Sequence, residues 1–444
     1  MMFFIYLIAI VILVLLLYDY RTGIVACLMA VTNFGEFIYV NPNLEIGDFG
    51  GIGTIYFMDL FWIALLIVIF LRRERLSLMH YKVSFIILAG LCLVAAAMPF
   101  LISSFSAKDM ISTIRPLGNF LFLPYFVITI ISMKELEFFE KFLMGMVFVF
   151  LGIQIYEYIV QKRVPLRLFD KYSLFYGEDP FSVEFGGIKT GYIWSRIGYL
   201  LPFNLFFGVF YYFTDRRKYG MLLIGAYILS IMITLSRIWI IGFVFFLIVL
   251  SVLLLINRDR EENIASNLLF MLGSFALIGI ILLYTSSAFN KIFDIFLLRI
   301  NSINDLADKT DSSFLGREYI LLRMFTVWTE YPIFGAGFSV ISRSLVTNYL
   351  CIPNIVTIFG GAGIIMLASF LKQYYDNIKP FITHNYVLFT SLISVMAMIT
   401  FMSIFSIDMF YYNAIGAMLL AFGNILINIA QSETEEQTDY SHAA

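Results

Sequence analysis

Charge is scarce in this chain. Lys, Arg, Asp and Glu make up 14% of it, against about 25% in soluble globular domains. With 61% hydrophobic residues and a mean hydropathy of +0.89, that scarcity excludes a soluble fold. Cysteine and histidine are rarer still, at three each. Cys27, Cys92 and Cys351 are scattered, with neither a disulfide framework nor a metal spacing, so three free thiols are expected. His80 and His384 fall on the predicted inner side of the membrane and His442 in the tail, which leaves no outer histidine to hold a metal. No metal site and no cofactor is therefore expected. A Walker phosphate loop is missing, so the energy for any reaction must come from the substrate. There is no basic face to follow a phosphate backbone, which argues against a nucleic-acid partner. Strict period-two alternation is missing too, and with it the outer-membrane barrel. No internal repeat is visible, which weighs against a transporter built from inverted halves. Residues 1–17 lack a basic leading region and a small-residue cleavage site, and read as a retained first helix rather than a signal peptide.

What the chain has is long apolar runs. Backbone amides in hydrocarbon find no water, so runs of roughly 20 such residues must be helices. Breaks between the runs give about 12 to 13 spans, at 2–17, 22–38, 54–71, 83–103, 116–132, 142–160, 196–213, 220–235, 238–256, 267–285, 354–371, 381–404 and 409–430. The expected fold is an all-α polytopic membrane protein. Short basic breaks at 72–75, 134–141, 216–218, 258–260 and 372–379 alternate consistently and set the cytoplasmic side. Two long segments then face outward. The expected organisation is transmembrane helices over 1–284 with a first outer loop at about 161–194, a large periplasmic or extracellular loop at 285–353, C-terminal transmembrane helices over 354–430, and a disordered acidic tail at 431–444.

Arginines gather at the outer boundary. Residues 221–235 and 238–256 as one helix would measure about 50 Å, far more than a bilayer core, so the chain turns back near Arg237. Arg196, in Tyr192-Ile193-Trp194-Ser195-Arg196, arrives at the same level, and Arg115 before Pro116 is a third cation on that side. Each also has a plainer reading: Arg237 snorkelling to the interface, Trp194 as an interfacial belt residue, Arg115 as the mark of a helix end. In the second loop, residues 317–330 form an amphipathic helix, with Leu321, Met324, Phe325 and Trp328 on its apolar face and Arg317 at the edge of that stripe. The plainer reading there is a surface helix lying on the membrane. Tyr331-Pro332 ends the helix, and Gly335 and Gly337 permit a sharp turn. Guanidinium forks bind phosphoryl oxygens through paired, charge-assisted hydrogen bonds, so such a cluster fits a lipid-linked pyrophosphate.

Three motifs carry a family resemblance: Thr234-Leu235-Ser236-Arg237; Gly316-Arg317 through Pro332-Ile333-Phe334-Gly335-Ala336-Gly337-Phe338; and Asn348-Tyr349-Leu350 followed by a span containing Gly360, Gly361 and Gly363. In their order and placement they resemble the bacterial O-antigen polymerase and ligase superfamily, whose members join lipid-linked saccharides on the outer face of the cytoplasmic membrane. The resemblance implies a membrane glycosyltransferase (GT-C-like) fold, with a cavity capped by the large loop. It also implies a polyprenyl pyrophosphate-linked oligosaccharide as substrate and a chain-length regulator as a possible partner, with membrane lipid around the site. Ligases of this superfamily carry a His-Asn pair where this chain has Thr347-Asn348, and threonine is a poor general base. The pattern is closer to a polymerase of O-antigen, capsule or exopolysaccharide repeats.

On this reading Arg196, Arg237 and Arg317 bind the donor pyrophosphate, with Arg115, Arg323, Arg343 and Trp194 as further substrate-binding candidates. Glu318, Asn348 and Tyr349 are the candidates for receiving the acceptor proton. Glu318 alternatively pairs with an arginine. Two other activities fit parts of the pattern: a ligase-type transfer to another acceptor, and a flippase or exporter of lipid-linked oligosaccharide. The latter should line a path through the bilayer with polar residues. In this chain Asp59 and Glu157 are exceptions to spans nearly free of charge.

Overall fold

The computed structural model describes residues 82–115, 133–160, 201–214, 216–234, 237–256, 312–346 and 351–405, four short strands, and scattered positions in 7–19, 59–67 and 266–297. Expected spans 22–38, 116–132 and 409–430 and the tail 431–444 lie outside the described residues.

The described elements are helical apart from two antiparallel hairpins, β1 (Glu45–Asp48) with β2 (Thr54–Tyr56), and β3 (Val183–Phe185) with β4 (Ile188–Thr190). Neither hairpin was expected, and β2 takes the first residues of the expected span 54–71. The helices are α1 (Lys82–Leu101), α2 (Met133–Val160), α3 (Leu201–Tyr212), α4 (Arg217–Thr234) and α5 (Arg237–Ile256). They continue with α6 (Ser312–Glu330), α7 (Val340–Leu345), α8 (Cys351–Ile378), α9 (Phe381–His384) and α10 (Tyr386–Phe405). Among the described residues, three segments are long and apolar enough to cross a membrane: Ile238–Ile256, Cys351–Ile378 and Tyr386–Ile404. The architecture is that of an α-helical membrane protein.

Boundaries differ from the sequence reading where polar residues continue a helix. α2 begins at Met133 and runs through the basic break at 134–141, because Lys, Glu and Leu are good helix formers whatever surrounds them. α8 likewise continues past Lys372 to Ile378. Before α10 the chain breaks at 379–380, and Asn385 caps the new helix, its Oδ1 accepting from the Leu388 amide at 3.0 Å.

The chain divides into two compact units. One comprises 140–316 and 383–402. There, α3 and α4 meet through small residues: a side chain at Gly208 would stand 2.8 Å from Ile224, and one at Gly220 would overlap the backbone of Tyr212. Asn204, fully buried on α3, donates to the Leu223 carbonyl at 3.0 Å. Glycine at a close crossing, with a side-chain amide donating across it, is the packing expected of helices in lipid. In the same unit α5 lies along α10, with Phe245 stacked on Phe401 at 4.4 Å, Gly242 against Met402, and the Tyr386 hydroxyl donating to the Leu253 carbonyl.

The other unit comprises 1–139, 317–382 and 403–444. Its frame is the antiparallel pair α1 and α8. Ser84 near the start of α1 meets Ser369 late in α8, Oγ to Oγ 2.9 Å. Ala95 on α1 and Ile358 on α8 then reach the same loop eleven residues further along each helix, in opposite directions. That loop carries the candidate site.

Candidate active site

α6 is divided lengthwise into three sectors. Met324 and Val327 are buried and pack with Ala336 and Leu345, bordered by Ile320, Tyr331, Ile341 and Ile102. Leu322 and Phe325 stand exposed at 61% and 56%, with Leu321 beside them. Arg323, Thr326 and Glu330 are exposed on the remaining side. The buried stripe is therefore rotated from the expected one: of Leu321, Met324, Phe325 and Trp328, only Met324 is in the core. The reason is the loop that follows, which covers the Met324 and Val327 side and leaves Phe325 uncovered, its ring 5.8 Å from Trp328 and nearly perpendicular to it.

The loop ends α6 by reversing direction. The amide of Tyr331 donates to Val327 O and that of Gly335 to Tyr331 O, while Trp328 Nε1 donates to Pro332 O at 3.1 Å. Gly335 and Gly337 both take φ of 64°, a conformation open to glycine at little cost. Gly360 inside α8 takes φ of 61° and ψ of −151°, which interrupts that helix. The interruption and the loop complete each other. Ala336 N donates to Thr357 O at 2.9 Å and Gly337 N to Ile358 O at 3.0 Å; in return Gly361 N donates to Pro332 O at 2.8 Å and Ala362 N to Ile333 O at 3.0 Å. Backbone groups freed by the break are thus paired, as any non-helical backbone inside an apolar layer requires. Two further bonds fix the loop to the α1 side, Phe338 N to Ala95 O at 2.9 Å and Val340 N to Ser104 O at 3.3 Å. Ser339 then caps α7, its Oγ accepting from Ser342 N at 3.2 Å.

Four of the candidate residues, Arg317, Glu318, Arg323 and Arg343, lie on the two helices that flank this loop. Arg317 is helical, in the second turn of α6, and Arg237 is the first residue of α5; their side chains lie outside the described residues. So do Arg196, Trp194, Asn348 and Tyr349. Glu318 is half-buried, beside Arg317 in the chain. Arg323 is exposed, with its guanidinium carbon 5.8 Å from the Tyr319 ring centre. Arg343 is exposed in the last turn of α7. An open cleft of about 340 Å³ between α6 and α7 is lined by Arg323, Thr326 and Ser344 over Val327, Val340, Ile341 and Leu345. Thr326 and Ser344 line this cleft and were not singled out by the sequence reading; they come together only when α7 folds back on α6. Arg115 is engaged by Asp59, Nε to Oδ1 2.8 Å, with both side chains about three-quarters covered. Arg317, Glu318, Arg323 and Arg343 therefore lie on two consecutive helices of one unit, Arg115 belongs to the same unit but is paired, and Arg237 belongs to the other unit.

An α-helical membrane protein with an interrupted span, clasped by the glycine turn of a preceding arginine-bearing helix, is the class that these features define. Residues 220–392 match the family described as O-antigen ligase, a match consistent with the O-antigen polymerase and ligase superfamily and with ligase- or polymerase-type activity on surface polysaccharide. The matched segment covers less than half of the chain but includes Arg237, α6, the clasp and α8; Arg115, Trp194 and Arg196 lie before it. No curated protein matches the chain.

Proposed function

We propose that this protein is a polymerase of surface polysaccharide, transferring a growing glycan from polyprenyl pyrophosphate to a lipid-linked repeat unit at the outer face of the cytoplasmic membrane. The observation that carries the reading is that the segment matching the O-antigen ligase family holds both Arg237, the first residue of α5, and Arg317, in the second turn of α6. First-turn amides and the helix dipole favour an anion beside Arg237, and guanidinium forks add paired hydrogen bonds to phosphoryl oxygens.

In the reaction the bond between the anomeric carbon and the pyrophosphate oxygen breaks, and a bond from the acceptor hydroxyl oxygen to that carbon forms. The acceptor proton passes to a nearby base, for which Glu318, with Asn348 and Tyr349, is the candidate group. Arg196, Arg237 and Arg317 stabilise the departing pyrophosphate, the electrostatic task that a metal ion performs in other transferases. Arg323 and Arg343, on the loop assigned to 285–353, bind the saccharide portion beside the cleft, with Arg115 and Trp194 at its margin.

The family description favours a second reading, transfer of finished glycan to a foreign acceptor by a ligase. Thr347 where a ligase carries histidine favours the polymerase. Purified protein supplied with a synthetic polyprenyl pyrophosphate repeat separates them. A ladder of lengthened lipid-linked products is expected; a single addition to a foreign acceptor would make it a ligase, and lipid movement without covalent product a flippase.

A further inference from the structure

We infer that α6 is a partition standing partly inside the bilayer, with its Leu322 and Phe325 side against lipid hydrocarbon and its Arg323, Thr326 and Glu330 side against water. This goes beyond the transferase reading and does not depend on it.

Depth along α8 supplies the measure. Its apolar portion begins at Cys351 and ends near Leu371, where Lys372 follows; at 1.5 Å per residue that portion is about 30 Å long, the thickness of a hydrocarbon core. The clasp does not meet α8 at its end. Thr357, Ile358, Gly361 and Ala362 hold the loop, so Pro332, bonded to Gly361, lies about 15 Å below Cys351. α1, running the other way, agrees for the far end of the loop: Ala95, which binds Phe338, is six residues short of Leu101, about 9 Å, and Ile358, which binds Gly337, is seven residues past Cys351, about 10 Å. The segment 332–338 thus re-enters the apolar layer between α1 and α8.

The end of α6 enters with it. Phe325 precedes Tyr331 by six residues of continuous helix, about 9 Å. Even if α6 stood straight along the membrane normal, Phe325 would still lie below the level of Cys351, and Leu322 would rise no higher than about that level. Any tilt lowers both. Two large apolar side chains exposed by 61% and 56% at this depth contact acyl chains at no cost, whereas in water they would form a patch with no partner. On the adjoining side, about 140° round the helix from Phe325, Glu330 is exposed one residue before Tyr331, and a carboxylate at that depth requires water. The open cleft of Arg323, Thr326 and Ser344 is where the water enters. Non-helical backbone at membrane depth is tolerated where it is buried in protein, as Gly335, Ala336, Gly337 and Phe338 of the clasp are.

The test is nitroxide accessibility in liposomes, with labels placed singly at Leu322→Cys, Phe325→Cys, Thr326→Cys and Glu330→Cys in protein whose native cysteines are replaced. The expected result is an oxygen-to-nickel-chelate collision ratio several-fold higher at 325 than at 330, with 322 and 326, neighbours across the boundary, falling between in that order. A high nickel collision rate at 322 and 325 would overturn the inference by putting the helix in water, and protection from both reagents would overturn it by putting protein over the face. Unmodified protein gives an independent readout: a diazirine carried on a lipid acyl chain should label Leu322 and Phe325, and labelling confined to other helices would also refute the proposal. No glycan enters either measurement, so its outcome is separate from that of the transferase assay.

Discussion

The amide of Ala336 donates to the carbonyl of Thr357 at 2.9 Å, joining the turn after α6 to the interior of α8. This bond and the three that accompany it exist only because Gly360 leaves the helical conformation, so the glycine turn and the broken helix are one device written in two separate stretches of sequence.

Gly360→Ala should therefore be severely destabilising. The backbone at φ 61° and ψ −151° is a region essentially confined to glycine and costs an alanine about 1–3 kcal/mol, and its Cβ would stand 2.5 Å from the Ile333 backbone. Gly90→Ala on α1, where nothing lies within 4 Å, is the control and should be neutral or stabilising by up to about 1 kcal/mol. Thermal unfolding in detergent measures both.

Met324→Ala should cost about 2–5 kcal/mol, the range for emptying a packed position, because Met324 joins α6 to Ala336 and Leu345. Leu322→Ala, on the exposed side of the same helix, should stay within about 0.5 kcal/mol of wild type in detergent. Equal losses would show that the sectors of α6 are misassigned.

Arg115→Ala should lower stability by about 1–3 kcal/mol, since it leaves the partly covered Asp59 without its 2.8 Å ion pair. The exchanged pair Asp59→Arg with Arg115→Asp should recover most of that loss. If Arg115 also binds substrate, the exchanged protein will unfold like wild type yet turn over more slowly, and a comparison of melting temperature with rate separates the two roles.

Much of this architecture was legible in the residues. The reversal near Arg237 follows from the length of the apolar stretch alone, and the helices end at Thr234 and resume at Arg237. Gly335 and Gly337 were read as turn formers, and both have positive φ. What was hidden is non-local. The sequence shows Gly360 and Gly361 only as a glycine-rich span, because the break there depends on amides donated by residues more than twenty positions earlier in the chain. The rotated face of α6 has the same cause: periodicity marks Leu321 and Phe325 as apolar but cannot say which apolar residues the returning loop covers. Asp59 and Arg115 are 56 positions apart, and neither one announces the other.

Within the candidate site, Arg323 and Arg317 should fail differently. Arg323 lines an open cleft, so Arg323→Ala should raise KM for the glycan acceptor with kcat little changed, the pattern of a lost ground-state contact. A fall in kcat with KM unaltered would move Arg323 into the reacting machinery.

The central claim is that guanidinium groups at Arg237 and Arg317 stabilise the leaving pyrophosphate. Turnover of a polyprenyl pyrophosphate-linked repeat by purified Arg237→Ala and Arg317→Ala protein, alongside melting temperature, tests it most directly. The account predicts a fall of about 10²–10³ in kcat for each, with wild-type stability and partial recovery on substitution by lysine. Full activity in both variants would contradict it.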